Sequence, residues 1–258
     1  MVKSDKGVYE DYFGSAGGGH NLRYKWYINK YFRNIKNKKI LEIGCGDGGL
    51  VQFLKKDNDT YAVDISKAGV SFLKKIGIKA FLKDMSFEKL PFDDGTFDYV
   101  IILEVLEHLK APQSSLEEIQ RVLKKGGIMI ASTPNPRTTH KFLYPSLFTH
   151  SGFRDYLKNN KFTIIESTTF GICPPFWKIM KSSLERRHFN SRLSVRKNKS
   201  EKSPLFSRLS VFLSKGLFNH IKPKIFGWSF VYVCKNTNPS GAKNLYKEIA
   251  GETKIAYA

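Results

Sequence analysis

Cysteine is scarce: Cys45, Cys173 and Cys234 are the only three in 258 residues. Their odd number and wide spacing exclude a disulfide framework and leave no pair spaced like zinc ligands, which fits a reducing cytoplasm. Long apolar runs are missing as well. No uncharged stretch approaches the about 18 residues that a membrane-spanning helix needs, and Met1 to Asp11 carry lysines without the apolar segment of a secretory signal. Acidic residues are the third shortage. Asp and Glu number 23 against 43 Lys and Arg, leaving a formal charge of +20. Such an excess points to a polyanionic partner or surface; by itself it does not choose between RNA and anionic lipid, and it says nothing about fold. No internal repeat is visible. What the chain does have is 41% hydrophobic residues, enough for a core in one large domain or one domain with an added lobe.

From Lys38 to Gly171 strands alternate with helices, the order that yields a parallel sheet with helices on both faces. Lys39 to Ile43 reads as a short strand stopped by Gly44, Leu50 to Leu54 has helical spacing, and Thr60 to Val63 is a second strand ending at Asp64. Ser66 is placed to cap the helix through Val70, Phe72, Leu73 and Ile76. A third strand, Ile78 to Leu82, precedes Asp84, and the wholly apolar Tyr99 to Leu103 belongs at the sheet centre. Ser114 to Glu118 contains two overlapping capping boxes, which predict a helix opening there and ending near Lys124, before Gly126-Gly127 and a strand from Ile128 to Ala131. Phe148 to Asn160 reads as a helix and Phe162 to Ile165 as a strand. Trp228 to Cys234, within an alternating β-branched and aromatic run, suits a last strand returning to the sheet edge.

The chemistry starts at Glu42-Ile43-Gly44-Cys45-Gly46-Asp47-Gly48-Gly49, directly after a strand and before a helix, where glycines let the backbone turn sharply and a ligand approach it. Gly44, Gly46 and Gly49 also satisfy the dinucleotide pattern G-x-G-x-x-G, so a pyrophosphate coenzyme competes for the same loop. The acidic company separates the two. Glu42 precedes the loop, and Asp64 and Asp84 close the next two strands. S-adenosylmethionine suits that arrangement: its ribose offers two hydroxyl donors to Asp64, its adenine an amine to Asp84, and its sulfonium and ammonium are cationic. A pyrophosphate would call for cations or bare helix-terminal amides instead. The bland readings are that Asp47 caps the following helix, that Asp84 caps a turn and that Cys45 is a small filler.

The segments LEIGCGDGGL, AVDIS, KDMSFEKLPFDDGTFDYVIILEVLEHL and LKKGGIMIASTPNP together resemble class I S-adenosylmethionine-dependent methyltransferases over roughly Arg23 to Gly171. Within that family EVLEH followed by S-T-x-N is similar to the ubiquinone-biosynthesis O-methyltransferases. The resemblance implies that Gly44, Gly46 and Gly48 line the methionine moiety, that Glu42 supports the loop, and that Asp64 holds the ribose. It further implies that Asp84 and Met85 frame the adenine, that Leu103 lies beside the cofactor and that Arg23 meets it from the N-terminal side. Cys45 and Ile65, next to these positions, complete the expected cofactor-binding set.

Methyl transfer from a sulfonium is a one-step displacement, so the protein chiefly aligns the reactants and excludes water. A hydroxyl acceptor adds the need for a base. Glu104, Glu107 and His108 follow the central strand at the catalytic rim, and His108 titrates in the right range to take such a proton, with Glu107 as its catalytic companion; the alternative is a histidine held by the local turn. E-x-x-E-H also gathers two carboxylates and an imidazole, a ligand set for Mg2+. The resemblance strengthens that expectation, since related enzymes, including small-RNA 2′-O-methyltransferases, are metal-assisted through a similar segment. Those RNA enzymes add a later histidine; neither His140 nor His150 falls at the family's spacing. Asn135 could orient an acceptor, and Phe142, Tyr144, Phe148, Phe153 and Tyr156 could line a cover or simply be core.

Residues 172 to 225 hold thirteen Lys/Arg and two Glu, a net +11 in 54 residues. With Leu205, Phe206, Leu209, Phe212, Leu213 and Phe218 at helical spacing, this reads as an inserted lobe: a surface for anionic membrane, a track for RNA, or a solvated lid. The expected organisation is a cover segment at 1–37, a cofactor-binding core at 38–171, the basic lobe at 172–225, the last core strand at 226–235 and a tail at 236–258. The expected fold is α/β: a doubly wound, seven-stranded, mostly parallel, Rossmann-like sheet with an antiparallel last strand and an inserted helical lobe. The expected activity is O-methylation of a small or lipid-linked hydroxylated acceptor in the cytoplasm, with peripheral contact at the inner face of the membrane. RNA 2′-O-methylation and non-catalytic cofactor binding are the alternatives.

Overall fold

The computed structural model describes residues 19–136, 143–171 and 228–237. Seven strands form one sheet: β1 (Lys39–Ile43), β2 (Asp59–Asp64), β3 (Lys79–Leu82), β4 (Phe97–Leu103), β5 (Leu123–Pro134), β6 (Phe162–Phe170) and β7 (Ser229–Asn236), in the order β3-β2-β1-β4-β5-β7-β6. Strands β1 to β5 run parallel, and β7 pairs antiparallel with both β5 and β6. The doubly wound sheet with a reversed last strand is therefore present, but that strand does not take the sheet edge as expected: it inserts between β5 and β6 and leaves β6 outermost. Between β1 and β4 the winding changes direction, which opens a crevice at the carboxyl ends of those strands.

Five helices accompany the sheet among the described residues: α1 (Gly19–Tyr27), extended by a π-helical turn at Ile28–Phe32, α2 (Gly49–Leu54), α3 (Lys67–Lys75), α4 (Pro112–Val122) and α5 (His150–Asn159). The period-2 alternation of the strands divides the core. Leu41, Ile43, Val100, Ile102, Met129 and Ala131 face one way and pack with Leu116 and Ile119 of α4 and Phe153 and Leu157 of α5. Ile40, Ile101, Ile130 and Val231 face the other and meet Tyr27, Phe32, Leu50 and Leu54. Helix α3 closes the β2–β3 side through Val70 and Leu73, and Ser66 caps it, its side chain accepting from the Gly69 amide.

Three local expectations need correction. Helix α4 starts at Pro112, two residues before the capping boxes, because proline is suited to the first helical turn; Ser115 lies inside the helix, buried, and its hydroxyl donates to the Met85 carbonyl at 2.6 Å. The helix also ends at Val122, and β5 begins immediately at Leu123 rather than after Gly126-Gly127. Those glycines sit within the strand, where the pairing slips between Phe97↔Leu123 and Tyr99↔Ile128; Gly126 adopts φ +78°, as a bulge demands. Strand β6 runs on to Phe170, since its polar half, Glu166 to Thr169, pairs with β7 as a half-solvated edge strand. The 172–225 lobe, residues 238–258 of the tail, and Phe142 and His140 lie outside the described residues.

Candidate active site

The loop after β1 is shaped by its neighbours on both sides. Gly44 has φ +67°, and a Cβ there would stand 2.2 Å from Val105 Cγ2, so the chain needs glycine for both conformation and space. Gly46 has φ +56°, and a Cβ there would meet nothing within 4 Å: its backbone faces open space. Beneath the loop, buried Glu42 accepts the Val51 amide at 2.9 Å and so ties β1 to the first turn of α2. Burial pushes the Glu42 carboxyl up to about 8, against the pull of that amide.

Asp64, at the end of β2 and 8% exposed, reaches back to the same loop. Its Oδ2 accepts the Gly46 amide at 3.0 Å and lies 3.8 Å from Cys45 Sγ, while its Oδ1 accepts the Ser66 amide at 2.8 Å. Burial raises its pKa, and the Ser66 and Gly46 amides oppose that shift. Cys45 is buried, and burial followed by the Asp64 charge raises its thiol well above the usual range. Ile65 is half-buried beside Asp64. Asp47 binds the Gly49 amide at 3.1 Å and the Tyr24 hydroxyl at 2.9 Å, a turn-closing role. Asp84 Oδ1 accepts the Ser86 amide at 2.9 Å, the turn-cap geometry, with Met85 buried in the core next to it.

The EVLEH segment leaves the end of β4 beside half-buried Leu103, and its first residue is unusual. Glu104 has φ +58°, a left-handed conformation uncommon for any residue but glycine, held there by its own amide donating to the Ser132 carbonyl at 2.9 Å. The carboxylate takes an ion pair from Arg23 Nη1 at 2.5 Å and a hydrogen bond from the Ser229 hydroxyl. Burial opposes the Arg23 charge, but Glu104 and then Tyr27 outweigh it and hold the guanidinium protonated. Glu107 follows on a 3-10 turn (Leu106–His108), fully enclosed; burial and then Glu104 raise its carboxyl well above the ordinary range. His108 Nε2 lies 3.9 Å from Glu107 Oε1, with its side chain 31% exposed.

These residues do not fit the expected Mg2+. Glu104 spends its oxygens on Arg23 and Ser229, Glu107 is sealed from solvent, and among the described residues no three His, Cys, Asp or Glu side chains converge as ligands. The candidate third-site histidine, His150, lies 3.3 Å from the Ser167 hydroxyl and against the Phe230 and Tyr232 rings. Phe148 and Phe153 are core, and Tyr144 donates to the Lys110 carbonyl at 2.8 Å. Asn135 is buried, with its amide on the Trp228 carbonyl. Sequence reasoning missed three contributors: Tyr24, which covers Gly49, Tyr27, buried beside Arg23, and Ser229. The signal for the first two was present in α1, where Arg23 and Tyr24 each stand one turn before Tyr27.

A mostly parallel sheet with a reversed last strand, a glycine loop at the crevice and an acidic residue at the end of β2 define a Rossmann-like fold. Comparison makes that specific. Residues 41–131 match the family model described as a methyltransferase domain. An uncharacterized protein of Methanocaldococcus jannaschii is 30% identical over an alignment of 177 residues that covers 61% of this chain and 76% of that protein. A ubiquinone biosynthesis O-methyltransferase of Acinetobacter baylyi is 25% identical over an alignment of 130 residues that covers 48% of this chain and 54% of that protein. Several matches thus span only about half of the relative's length. The fold superposes on a SAM dependent methyltransferase from Archaeoglobus fulgidus with a TM-score of 0.56 at 19% identity, over 88% of this chain and 98% of that one. Residues 41–131 thus form a methyltransferase domain, on a fold shared with S-adenosylmethionine-dependent methyltransferases.

Proposed function

We propose that this protein transfers the methyl group of S-adenosylmethionine to a hydroxyl oxygen of a small or lipid-linked acceptor. The observation that carries the reading is Asp64: both carboxylate oxygens are preset by amides from the glycine loop and Ser66, beside a Gly46 backbone that faces open space. A carboxylate so placed takes the two ribose hydroxyls without reorganising. Gly44, Gly46 and Gly48 would carry the methionine moiety, Asp84, Met85 and Ile65 the adenine side, and Leu103 the wall beside it. Arg23, a five-donor group, can serve the cofactor's carboxylate as well as Glu104. The cofactor supplies an electrophilic methyl; the chain's own residues align the acceptor and exclude water.

His108, the exposed member of EVLEH, would take the acceptor's proton at its imidazole, and enclosed Glu107 would orient that ring. The A. baylyi relative's name supports oxygen as the atom methylated. RNA 2′-O-methylation is the second reading, favoured by the net charge of +20, and the same charge supports peripheral contact with anionic membrane; no helix among the described residues is long and apolar enough to cross one. An acceptor screen that reads S-adenosylhomocysteine release tests the proposal. Release with phenolic or polyprenyl-linked hydroxyls supports it; release only with RNA, in a strongly salt-dependent manner, selects the second reading. No release with any acceptor, despite cofactor binding, leaves a binding protein.

A further inference from the structure

The E-x-x-E-H segment has the donors of a metal site, and the position where a cation would sit is filled by the chain itself. Arg23 Nη1 stands 2.5 Å from Glu104 Oε2, with the two side chains only 20% and 15% exposed. The other Glu104 oxygen is taken by the Ser229 hydroxyl from β7. The backbone of Glu104 is locked by its left-handed φ and by its bond to Ser132 of β5, so three strands fix this carboxylate in place. Arg23 is held as firmly. The next residue, Tyr24, donates to Asp47, and Tyr27, one turn on, is buried in the core with Phe32.

A divalent ion could reach Glu104 only by displacing Arg23 or by sharing the carboxylate with it, and two cations on one poorly solvated carboxylate repel each other. We propose that Arg23 is a built-in cation that takes the place of a divalent metal at Glu104, so that this protein neither binds Mg2+ or Mn2+ there nor depends on it. The replacement changes the chemistry. A metal offers open coordination positions that acidify a bound hydroxyl, whereas a guanidinium offers a permanent charge and fixed donors, which leaves proton removal to a side chain. The inference concerns the cation alone and stands whether or not the proposed acceptor is right.

The test is Mn2+ binding by the full chain, followed by loss of the free-ion signal in electron paramagnetic resonance, without cofactor. The expected result is no site at millimolar Mn2+ in the wild-type protein or in Arg23→Lys, which keeps a cation. Arg23→Gln should gain one site that a further Glu104→Gln removes. A single wild-type Mn2+ site abolished by Glu104→Gln would overturn the proposal, as would a folded Arg23→Gln that gains none. If Arg23→Gln does not fold, the wild-type and Arg23→Lys titrations decide.

Discussion

The Asp64 carboxylate accepts the Gly46 amide at 3.0 Å, which makes the end of β2 and the turn after β1 one structural unit. A cofactor entering this crevice therefore meets a carboxylate already aimed and a loop already bent.

Asp64→Ala should weaken S-adenosylmethionine affinity at least tenfold, about 1.4 kcal/mol, through loss of charge-assisted bonds to the ribose. It also frees the Gly46 and Ser66 amides, so the melting temperature should fall with it. Asp64→Asn keeps acceptors for part of that network, and the affinity loss should exceed the stability loss. Calorimetric titration beside thermal unfolding separates the two; unchanged affinity in both variants would remove Asp64 from its role.

The two glycines should fail differently. Gly44→Ala forces both a positive φ and a collision with Val105, and should cost about 2–4 kcal/mol, partly recovered by Val105→Ala. Gly46→Ala meets no atom, so only the backbone term of about 1–2 kcal/mol applies, while the new methyl enters the cofactor's space. Urea unfolding should rank Gly44→Ala as the less stable variant and calorimetry should show Gly46→Ala losing affinity while folded.

Glu42 gives a pH signature. Its folded pKa is raised to about 8, above the unfolded value, so between roughly pH 4.5 and 8 the folded state holds a proton that the unfolded state has released. Its contribution to stability therefore declines as pH rises through that window, by an amount on the order of a few kcal/mol. Glu42→Gln keeps an acceptor for Val51 but does not titrate. The variant should gain stability relative to wild type from pH 5 to pH 8 in denaturant titrations; a constant difference would place the carboxyl's pKa at its ordinary value.

Tyr24→Phe removes the hydroxyl bond to Asp47 while keeping the ring over Gly49, and should cost about 1 kcal/mol. Because this bond ties α1 to the loop, hydrogen exchange should accelerate in α1 more than in β4. Uniform acceleration would show that the contact has no local role.

Much of this was legible in the chain. Short apolar runs alternating with helical segments, the Gly44 to Gly49 loop and acids at successive strand ends predict the sheet and the cofactor edge, because backbone conformation and burial act over a few residues. What escaped was decided by distant partners. The capping boxes at Ser114 and Ser115 are sound local signals, overridden by Pro112 and by Ser115's bond to Met85. Glu104, Glu107 and His108 read as ligands because spacing does not show that an arginine 81 positions earlier, and a serine 125 later, claim the first carboxylate. Arg23 was marked only for the cofactor.

Binding of S-adenosylhomocysteine and of NAD+ to the full chain, compared by isothermal titration calorimetry, tests the central claim most directly. A cofactor edge built around Asp64 predicts one S-adenosylhomocysteine site per chain and no NAD+ site. One NAD+ site with no response to S-adenosylhomocysteine would contradict it.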